Sequence, residues 1–361
     1  MLTELMNKRY WRRLGKYTLG YIATSSGTVG IYAWLGNHYL ERMPWQFWAI
    51  LLILCAYLVG VSIVTLRFST AADSKREVQR GGLYQSLPSI LRNALNNADY
   101  REVIRIGDAL SRPLFESGEF DVRLQLGFLT EEAAAHLGAR DVQYRTLIDA
   151  IGWSLIELGS FDDAQKYLRH GLTLAEEEGD YFYQAKAYRH MGAIERRMGL
   201  LDNAIAYFEK ASQTSLNISV EEDAKAMSAG ITYAIAHLKF SQREYKGALK
   251  YTDLAINSFK ETHDTYRVDM ALVLKADIQV ALDQVEKAKD IYRQVIQSSR
   301  VNRESIHYAR AVLGLVEISL RENNFDEASR VLARLDSEHT VKMAAFSDRY
   351  LAAKQRIDTR V

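Results

Sequence analysis

Four basic residues recur at helical spacing within one short stretch of the sequence, and their side chains are the types that bind anions best. Lys186, Arg189, Arg196 and Arg197 belong to a predicted helix, in which residues three, four or seven positions apart share a side. The planar guanidinium of arginine can donate two parallel hydrogen bonds to a carboxylate or a phosphate. Because like charges at this spacing repel one another, a negatively charged partner would relieve the repulsion. We therefore interpret the stretch as a candidate anion-binding face, with a solvated basic helix face as the alternative.

Motifs for catalysis or for metal binding are missing from the sequence. It contains no GxxxxGK[ST] loop, no GxGxxG after a strand, no HExxH and no GxSxG. The eight histidines occur singly, as is typical of packing or surface residues on helices. The acidic clusters "AEEEGDYF" and "VEEDAK" fall at predicted helix ends, where they favour the next helix through its dipole. We therefore predict that the protein is not an enzyme and has no cofactor and no metal site.

Composition narrows the class of protein further. A formal net charge of +1 over 361 residues gives no overall attraction to nucleic acid, so nucleic acid is not an expected partner. A hydrophobic content of 48% with 25% charged residues is typical of folded chains. The single cysteine, Cys55, excludes an intramolecular disulfide framework. No proline follows Pro113, which favours a long helical region.

One pattern occurs five times along the chain. It appears as "GSFDDAQKYLRHGL" from Gly159, and related stretches begin at Gly199, Arg243, Asp283 and Asn323. Alignment places one alanine in each copy, with spacings of 40, 44, 40 and 40 residues: Ala164, Ala204, Ala248, Ala288 and Ala328. A small or apolar residue recurs before each alanine at the spacing expected of a preceding helix. Each copy is thus predicted to be two antiparallel helices, and the pairs must stack because one pair cannot bury its apolar face.

The copy from Met191 to Ala211, "MGAIERRMGLLDNAIAYFEKA", resembles the tetratricopeptide repeat in its small residues and in the aromatic residue that follows them. This sequence departs from the family in its period near 40 residues instead of 34, in Thr252 at an aromatic position and in Val316 at a small one. The resemblance implies an all-α fold, with a TPR-like α-solenoid of helix-turn-helix repeats over residues 83–361. Residues 83–97 and 100–118 are expected to open the array as a degenerate pair, residues 118–144 to form one helix out of register, and residues 340–357 to cap the C-terminal end.

The resemblance also implies a binding groove, because in the family the first helix of each pair lines a concave face. Four of the five groove positions in the Met191 copy are basic, and the neighbouring copies contribute aromatic residues. The candidate groove residues are Trp153, Lys186, Arg189, Arg196, Arg197, Tyr233, His237 and Phe240. Such a groove could hold an acidic peptide, a C-terminal carboxylate or a nucleotide-like anion. The asparagines of the family's carboxylate clamp are absent from these positions, so that specificity is not implied.

Two uncharged stretches near the N-terminus are each long enough to cross a bilayer, which takes about 20 helical residues. Each contains 24 residues, one between Lys16 and Glu41 and the other between Arg42 and Arg67. We predict a transmembrane helical hairpin with helices at residues 17–40 and 45–66, a basic cytoplasmic N-terminus at 1–16 and a juxtamembrane linker at 67–82. Basic residues flank the two outer ends, and by the positive-inside bias both termini are cytoplasmic. The chain is therefore predicted to be a two-pass integral membrane protein of a bacterial inner membrane.

Small residues in the middle of the first stretch allow close helix packing. Ser26 and Gly30 have the small-xxx-small spacing, and Gly27 lies between them. These residues would either pack the two helices of the hairpin together or form a pore-lining or oligomer-forming face, so a homo-oligomer remains open.

Two functions are compatible with these features. In the first, the chain is a membrane-anchored adaptor or scaffold that binds a protein or peptide partner, of acidic character, at the cytoplasmic face of the membrane. In the alternative, it is a signal-sensing membrane effector, for example in antiviral defence, whose repeats sense a ligand and whose spans oligomerise and disrupt the bilayer. Fold alone does not separate the two.

Overall fold

The computed structural model describes residue 84 and residues 86–298, 306–335 and 344–360, and every regular element within them is a helix. The predicted N-terminus, membrane hairpin and juxtamembrane linker lie outside these residues, as do Ser26, Gly27 and Gly30. In the part of the chain that is described, no helix is both long and apolar enough to cross a membrane.

The helices follow one another with short turns. In chain order they are α1 (residues 86–96), α2 (Tyr100–Ser117), α3 (Phe120–Leu137), α4 (the consecutive segments Arg140–Arg145, Thr146–Gly152 and Trp153–Glu157), α5 (Phe161–Glu177), α6 (Tyr181–Arg197), α7 (Leu201–Ser215), α8 (Glu221–Ser241), α9 (Tyr245–Glu261), α10 (Thr265–Ala281), α11 (Val285–Ser298), α12 (Ile306–Arg321), α13 (Phe325–Leu332) and α14 (Ala344–Thr359).

Local sequence signals explain where several of these helices begin and end. The side chains of Asp180, Asp264 and Asn324 each accept a hydrogen bond from the backbone N–H three residues later, which caps α6, α10 and α13. Gly159, with φ of 79°, and Gly199, with φ of 80°, end the turns after α4 and α6 in the left-handed conformation that glycine adopts without strain.

The repeated alanines mark where the paired helices meet. All five have an exposed fraction of 0%, and they lie on the odd-numbered helices α5 to α13. The predicted stack of helix pairs is confirmed, because the positions aligned by the repeat are fully buried between packed helices. The chain is an all-α solenoid in its described part.

The start of the array differs in part from the prediction. Residues 118–144 were expected to hold a helix out of register, but α3 is the regular partner of α2. The predicted contact between residues 83–97 and 100–118 is present, because Leu91 and Leu95 of α1 lie in one buried cluster with Val103 of α2. Gly107 of α2 lies directly against the side chain of Thr130 in α3, just as Gly192 of α6 lies against Phe208 in α7. The separation along the chain is 23 residues in the first pair and 16 in the later one, which hid the repeat from the alignment.

The even-numbered helices face the inner side of the solenoid, and distant repeats meet across it. The rings of Phe115 in α2 and Tyr266 in α10 have centroids 5.5 Å apart. Glu157 of α4 and Arg310 of α12 approach to 3.9 Å. The inner faces of the even-numbered helices from α2 to α14 therefore surround a space, which we call the lumen.

Candidate functional site

The lumen is a cavity of about 670 Å³ with an excess of positive charge in its wall. Nine cationic side chains line it against six carboxylates, an excess of three. The cations are Arg112, Arg123, Lys186, Arg189, Arg196, Arg197, Arg267, Arg310 and Arg349, and the carboxylates belong to Asp108, Glu116, Asp149, Glu157, Asp264 and Asp277. The concentration of cations is local, because the whole chain carries a formal net charge of only +1.

Seven of the eight candidate groove residues lie in the wall of this cavity: Trp153, Lys186, Arg189, Arg196, Arg197, Tyr233 and His237. Phe240 does not line it. Its ring centroid lies 5.9 Å from that of Tyr245, in the cluster that joins α8 to α9 and α10. Phe240 is the penultimate residue of α8, where the chain turns toward the outer helix α9, and its side chain packs against α9 instead of facing the lumen.

Two of the predicted cations are neutralised within the wall. The ammonium of Lys186 lies 2.8 Å from a carboxylate oxygen of Asp149. Arg197 Nη2 donates to Glu157 Oε1 at 2.6 Å, and Arg197 Nη1 donates to the Ile156 carbonyl at 2.8 Å. These two side chains hold neighbouring helices together, because their partners lie on α4 while they lie on α6.

The other two, Arg189 and Arg196, form no ion pair within the described part of the chain. The Nη2 of Arg189 contacts His190 Nε2 at 3.1 Å, and its buried Nε has no hydrogen-bond partner there. Arg196 makes a single long hydrogen bond, 3.5 Å, to the hydroxyl of Ser241. A partly buried charge without a counter-ion is costly, so an anion entering the lumen would be stabilised by both side chains.

Both arginines keep their positive charge at neutral pH. Burial, together with the nearby charge of Arg267, lowers the pKa of Arg189 to about 10. Burial and the adjacent Arg197 likewise lower the pKa of Arg196 to about 10. Since these pKa values remain well above 7, the lumen presents two uncompensated cations, separated by two turns of α6, to whatever enters it.

Aromatic groups complete the wall beside these cations. The Trp153 ring centroid lies 4.7 Å from that of His190, and the guanidinium of Arg197 lies 5.9 Å from the Trp153 centroid. His237 Nε2 and the Tyr233 hydroxyl are 2.8 Å apart. The wall therefore combines donors for anions with flat surfaces on which apolar parts of a ligand can pack.

A π-helical turn at Thr146–Gly152 positions the residues that α4 contributes. Arg123, with an exposed fraction of 6%, donates from Nη1 to the carbonyl of Asp149 at 2.8 Å. Its Nε donates to the carbonyl of Ser111 at 2.9 Å, so one buried guanidinium joins α2, α3 and α4. The wider turn leaves backbone carbonyls without their usual helical hydrogen-bond partners, and Arg123 donates to one of them, that of Asp149. The contact lies at the point where the side chains of Asp149 and Trp153 line the lumen.

Several lumen residues are not among the sequence candidates. Met270 of α10 and Arg310 of α12 occupy the repeat position of Lys186, and Val273 and Asp277 occupy those of Arg189 and Ala193, so the same rule applied to the later copies finds them. Arg123 and Tyr266 carry no such signal, because the first lies on an outer helix and the second lies outside the groove positions of its copy. Among the described residues, no group of three or more His, Cys, Asp or Glu side chains is arranged to hold a metal ion.

Comparison with known proteins identifies the repeat. Residues 143–217 and residues 270–299 both match family models of the tetratricopeptide repeat. The chain thus contains tetratricopeptide repeats, in α4 to α7 and again in α10 and α11.

Relatives and solved structures extend this comparison. A region of 220 residues is 25% identical to the transcription activator GutR of Bacillus subtilis (strain 168), covering 58% of this chain and 25% of that protein, so the chain spans about a quarter of that relative's length. A Rap protein solved in complex with competence and sporulation factor superposes with a TM-score of 0.48 at 14% identity, over 70% of this chain and 74% of that one. Yeast Tom70 superposes with a TM-score of 0.41 at 15% identity, over 72% of this chain and 59% of that one.

Proposed function

We propose that this protein is an adaptor whose solenoid holds an acidic segment of a partner protein in the lumen. The observation that carries the proposal is the pair of half-buried cations without counter-ions in the described part of the chain, Arg189 and Arg196. Their positions beside Trp153 and Tyr233 favour a ligand that is negatively charged but also has apolar parts.

The size of the lumen supports a short segment as the ligand. A volume of about 670 Å³ lies within the range of roughly 300–1,000 Å³ that is typical of sites for small ligands. An α-helix with its side chains is about 10–12 Å wide, so the lumen would hold little more than one turn of it. An extended stretch of a few residues fits this space, whereas a folded domain does not.

We also propose that residues 1–82 anchor the solenoid to a membrane, with the solenoid in the cytoplasm. The support is the length of the two uncharged stretches and the basic residues at their outer ends. An anchor would raise the local concentration of the solenoid at the membrane, and a partner that is itself bound there would be held with increased avidity.

Reversing both free charges is expected to abolish partner binding. The variant Arg189→Glu/Arg196→Glu places two carboxylates where an acidic segment would lie, and we expect a loss of at least about 100-fold in affinity, since charged contacts of this kind cost about 2–5 kcal/mol when reversed or lost. The partner can be identified with a photo-crosslinking residue at Ala193, which lies in the lumen wall, followed by mapping of the attached peptide.

The matched control reverses two arginines on outer helices, Arg169→Glu/Arg293→Glu, and should leave binding unchanged. Unchanged melting and circular dichroism of the lumen variant would exclude unfolding as the cause of the loss. A crosslinked peptide without acidic residues, or full affinity in the Arg189→Glu/Arg196→Glu variant, would contradict the proposal.

The membrane arrangement makes a separate prediction. Topology reporters fused at residues 5, 40 and 75 should report cytoplasm, periplasm and cytoplasm in that order, because basic residues flank both outer ends of the hairpin. A periplasmic signal at residue 75 would exclude the two-pass arrangement.

A further inference from the structure

Two arginines from different helices approach one carboxylate at the side of the lumen near α12, and a third arginine lies near them. Glu157, with an exposed side-chain fraction of 5%, accepts from Arg197 at 2.6 Å and lies 3.9 Å from Arg310. Arg196 is close enough to both of these arginines for their charges to lower its pKa further after the effect of burial. We call Arg196, Arg197, Arg310 and Glu157 the arginine cluster.

Two neighbouring titratable groups, His237 and Tyr233, supply no negative charge, and the nearby carboxylate of Asp277 is already engaged by the hydroxyl of Tyr292. Burial and the charges of Arg196 and Arg310 lower the pKa of His237 well below its usual value, so the imidazole is neutral at pH 7. Burial raises the pKa of Tyr233 to about 12, so its hydroxyl is also neutral. Three positive charges against one carboxylate leave the arginine cluster with an excess of two.

The cluster also has unused hydrogen-bond donors. The separation of 3.9 Å between Arg310 and Glu157 exceeds hydrogen-bond distance. The guanidinium of Arg310 lies over the ring of Phe346, 5.5 Å from its centroid, which orients the group without using its donors. Each guanidinium carries five N–H donors, and Arg196 spends one of its own on the long contact to Ser241.

We infer that the arginine cluster binds a phosphomonoester dianion, carried by a phosphorylated residue of the acidic segment. This inference rests on the proposed function and adds the chemistry of one contact. A phosphate group has a charge of about −1.5 to −2 at pH 7 and three acceptor oxygens, which matches the excess charge and the forked donors. A single carboxylate would neutralise half of that charge.

The test compares three peptides of one sequence, with serine, glutamate or phosphoserine at the central position, on the purified full-length protein. The phosphoserine peptide should bind at least about tenfold more tightly than the glutamate peptide, which corresponds to about 1.4 kcal/mol. AMP in a parallel titration identifies whether a nucleotide phosphate is preferred over a peptide phosphate. Binding of either compound that depends on Arg196 and Arg310 supports a phosphate site, but tighter binding of AMP than of the phosphoserine peptide would overturn its assignment to a phosphorylated residue.

Two sets of variants separate the cluster from general electrostatics. Arg310→Gln should reduce phosphoserine-peptide affinity by about tenfold and leave the serine peptide unaffected, whereas the outer-helix control Arg169→Gln should change neither. Arg196→Gln should weaken both peptides, and the phosphoserine peptide more, because Arg196 also contributes to binding of the acidic segment. Glu157→Gln removes the competing carboxylate and should tighten phosphoserine binding several-fold, an effect that partial unfolding would not produce.

The outcomes distinguish this inference from the proposed function. Equal affinities for the phosphoserine and glutamate peptides would overturn the phosphate site while leaving an acidic partner in place. Binding of neither peptide nor AMP, or phosphoserine binding that survives Arg196→Gln/Arg310→Gln, would likewise overturn it. Loss of the crosslinked partner in an Arg189→Glu variant, which leaves the arginine cluster unchanged, bears on the proposed function alone.

Discussion

Replacing Gly192 by valine is expected to lower the free energy of unfolding by roughly 3 kcal/mol, because the space for a side chain at this position is already occupied. A Cβ atom built on Gly192 would lie 2.5 Å from Cε1 and 2.7 Å from Cδ1 of Phe208. Phe208 has an exposed fraction of 3% and packs with Ala204 and Leu238, so its ring cannot move aside without opening the junction between two repeats. Urea denaturation of the full-length protein, followed by circular dichroism, measures the change.

Gly230 provides the matched control for Gly192. It is also a buried glycine inside a helix, but a Cβ there would approach the flexible side chain of Arg189 at 3.6 Å, which is an ordinary contact. Gly230→Ala should therefore stabilise the protein by about 0.5–1 kcal/mol through helix propensity. If Gly192→Val and Gly230→Ala changed stability in the same direction, close packing at Gly192 would not explain its identity.

Acidification below pH 6.5 is expected to destabilise the solenoid steeply. His190 and His307 have exposed fractions of 3% and 1%. Burial, with the charge of Arg189 near the first and Arg310 near the second, lowers the pKa of both histidines well below 6.5. The unfolded chain then binds protons that the folded chain does not, so stability is full above the unfolded pKa and falls progressively below it. Each histidine contributes up to about 1.4 kcal/mol per pH unit.

Urea midpoints measured between pH 7.5 and 5 would test this dependence. Because burial also lowers the pKa of His237, three histidines share the effect, and the variant His190→Gln should remove about a third of the slope. His170→Gln, on the exposed side of α5, should leave it unchanged. A midpoint that is independent of pH over this range would show that the buried imidazoles are not held neutral in the folded state.

Repeat spacing predicted the helix pairs because it depends on local packing. The alanines and glycines at the contacts between paired helices, such as Ala164 and Gly192, are spaced by helix length alone, and the same rule placed Arg189 and Arg196 on the inner face. The rule missed α3 because the contact between Gly107 and Thr130 lies farther from the turn that joins the two helices than the contact between Gly192 and Phe208 does. It would also have found Arg310, had it been applied to the later copies.

The closure of the lumen could not be predicted from the sequence. Whether Glu157 meets Arg310 depends on the small rotation between successive pairs, summed over all the repeats between α4 and α12. No local sequence pattern indicates the size of this accumulated rotation. The π-helical turn could not be predicted from the sequence either. Its Asp149 carbonyl accepts a hydrogen bond from Arg123, and Arg123 lies on α3, a helix whose position the sequence did not reveal.

The contacts between Phe115 and Tyr266 and between Glu157 and Arg310 also restrict the number of repeats. In an open array each repeat touches only its neighbours, so copies can be gained or lost with a nearly additive change in stability. In this solenoid, deleting the pair α8–α9 would bring different residues opposite Phe115 and Glu157, so both contacts across the lumen would be lost at once. Chains of this kind can vary freely in their outer helices and turns, but the copy number between α2 and α12 can change only together with the residues that meet across the centre.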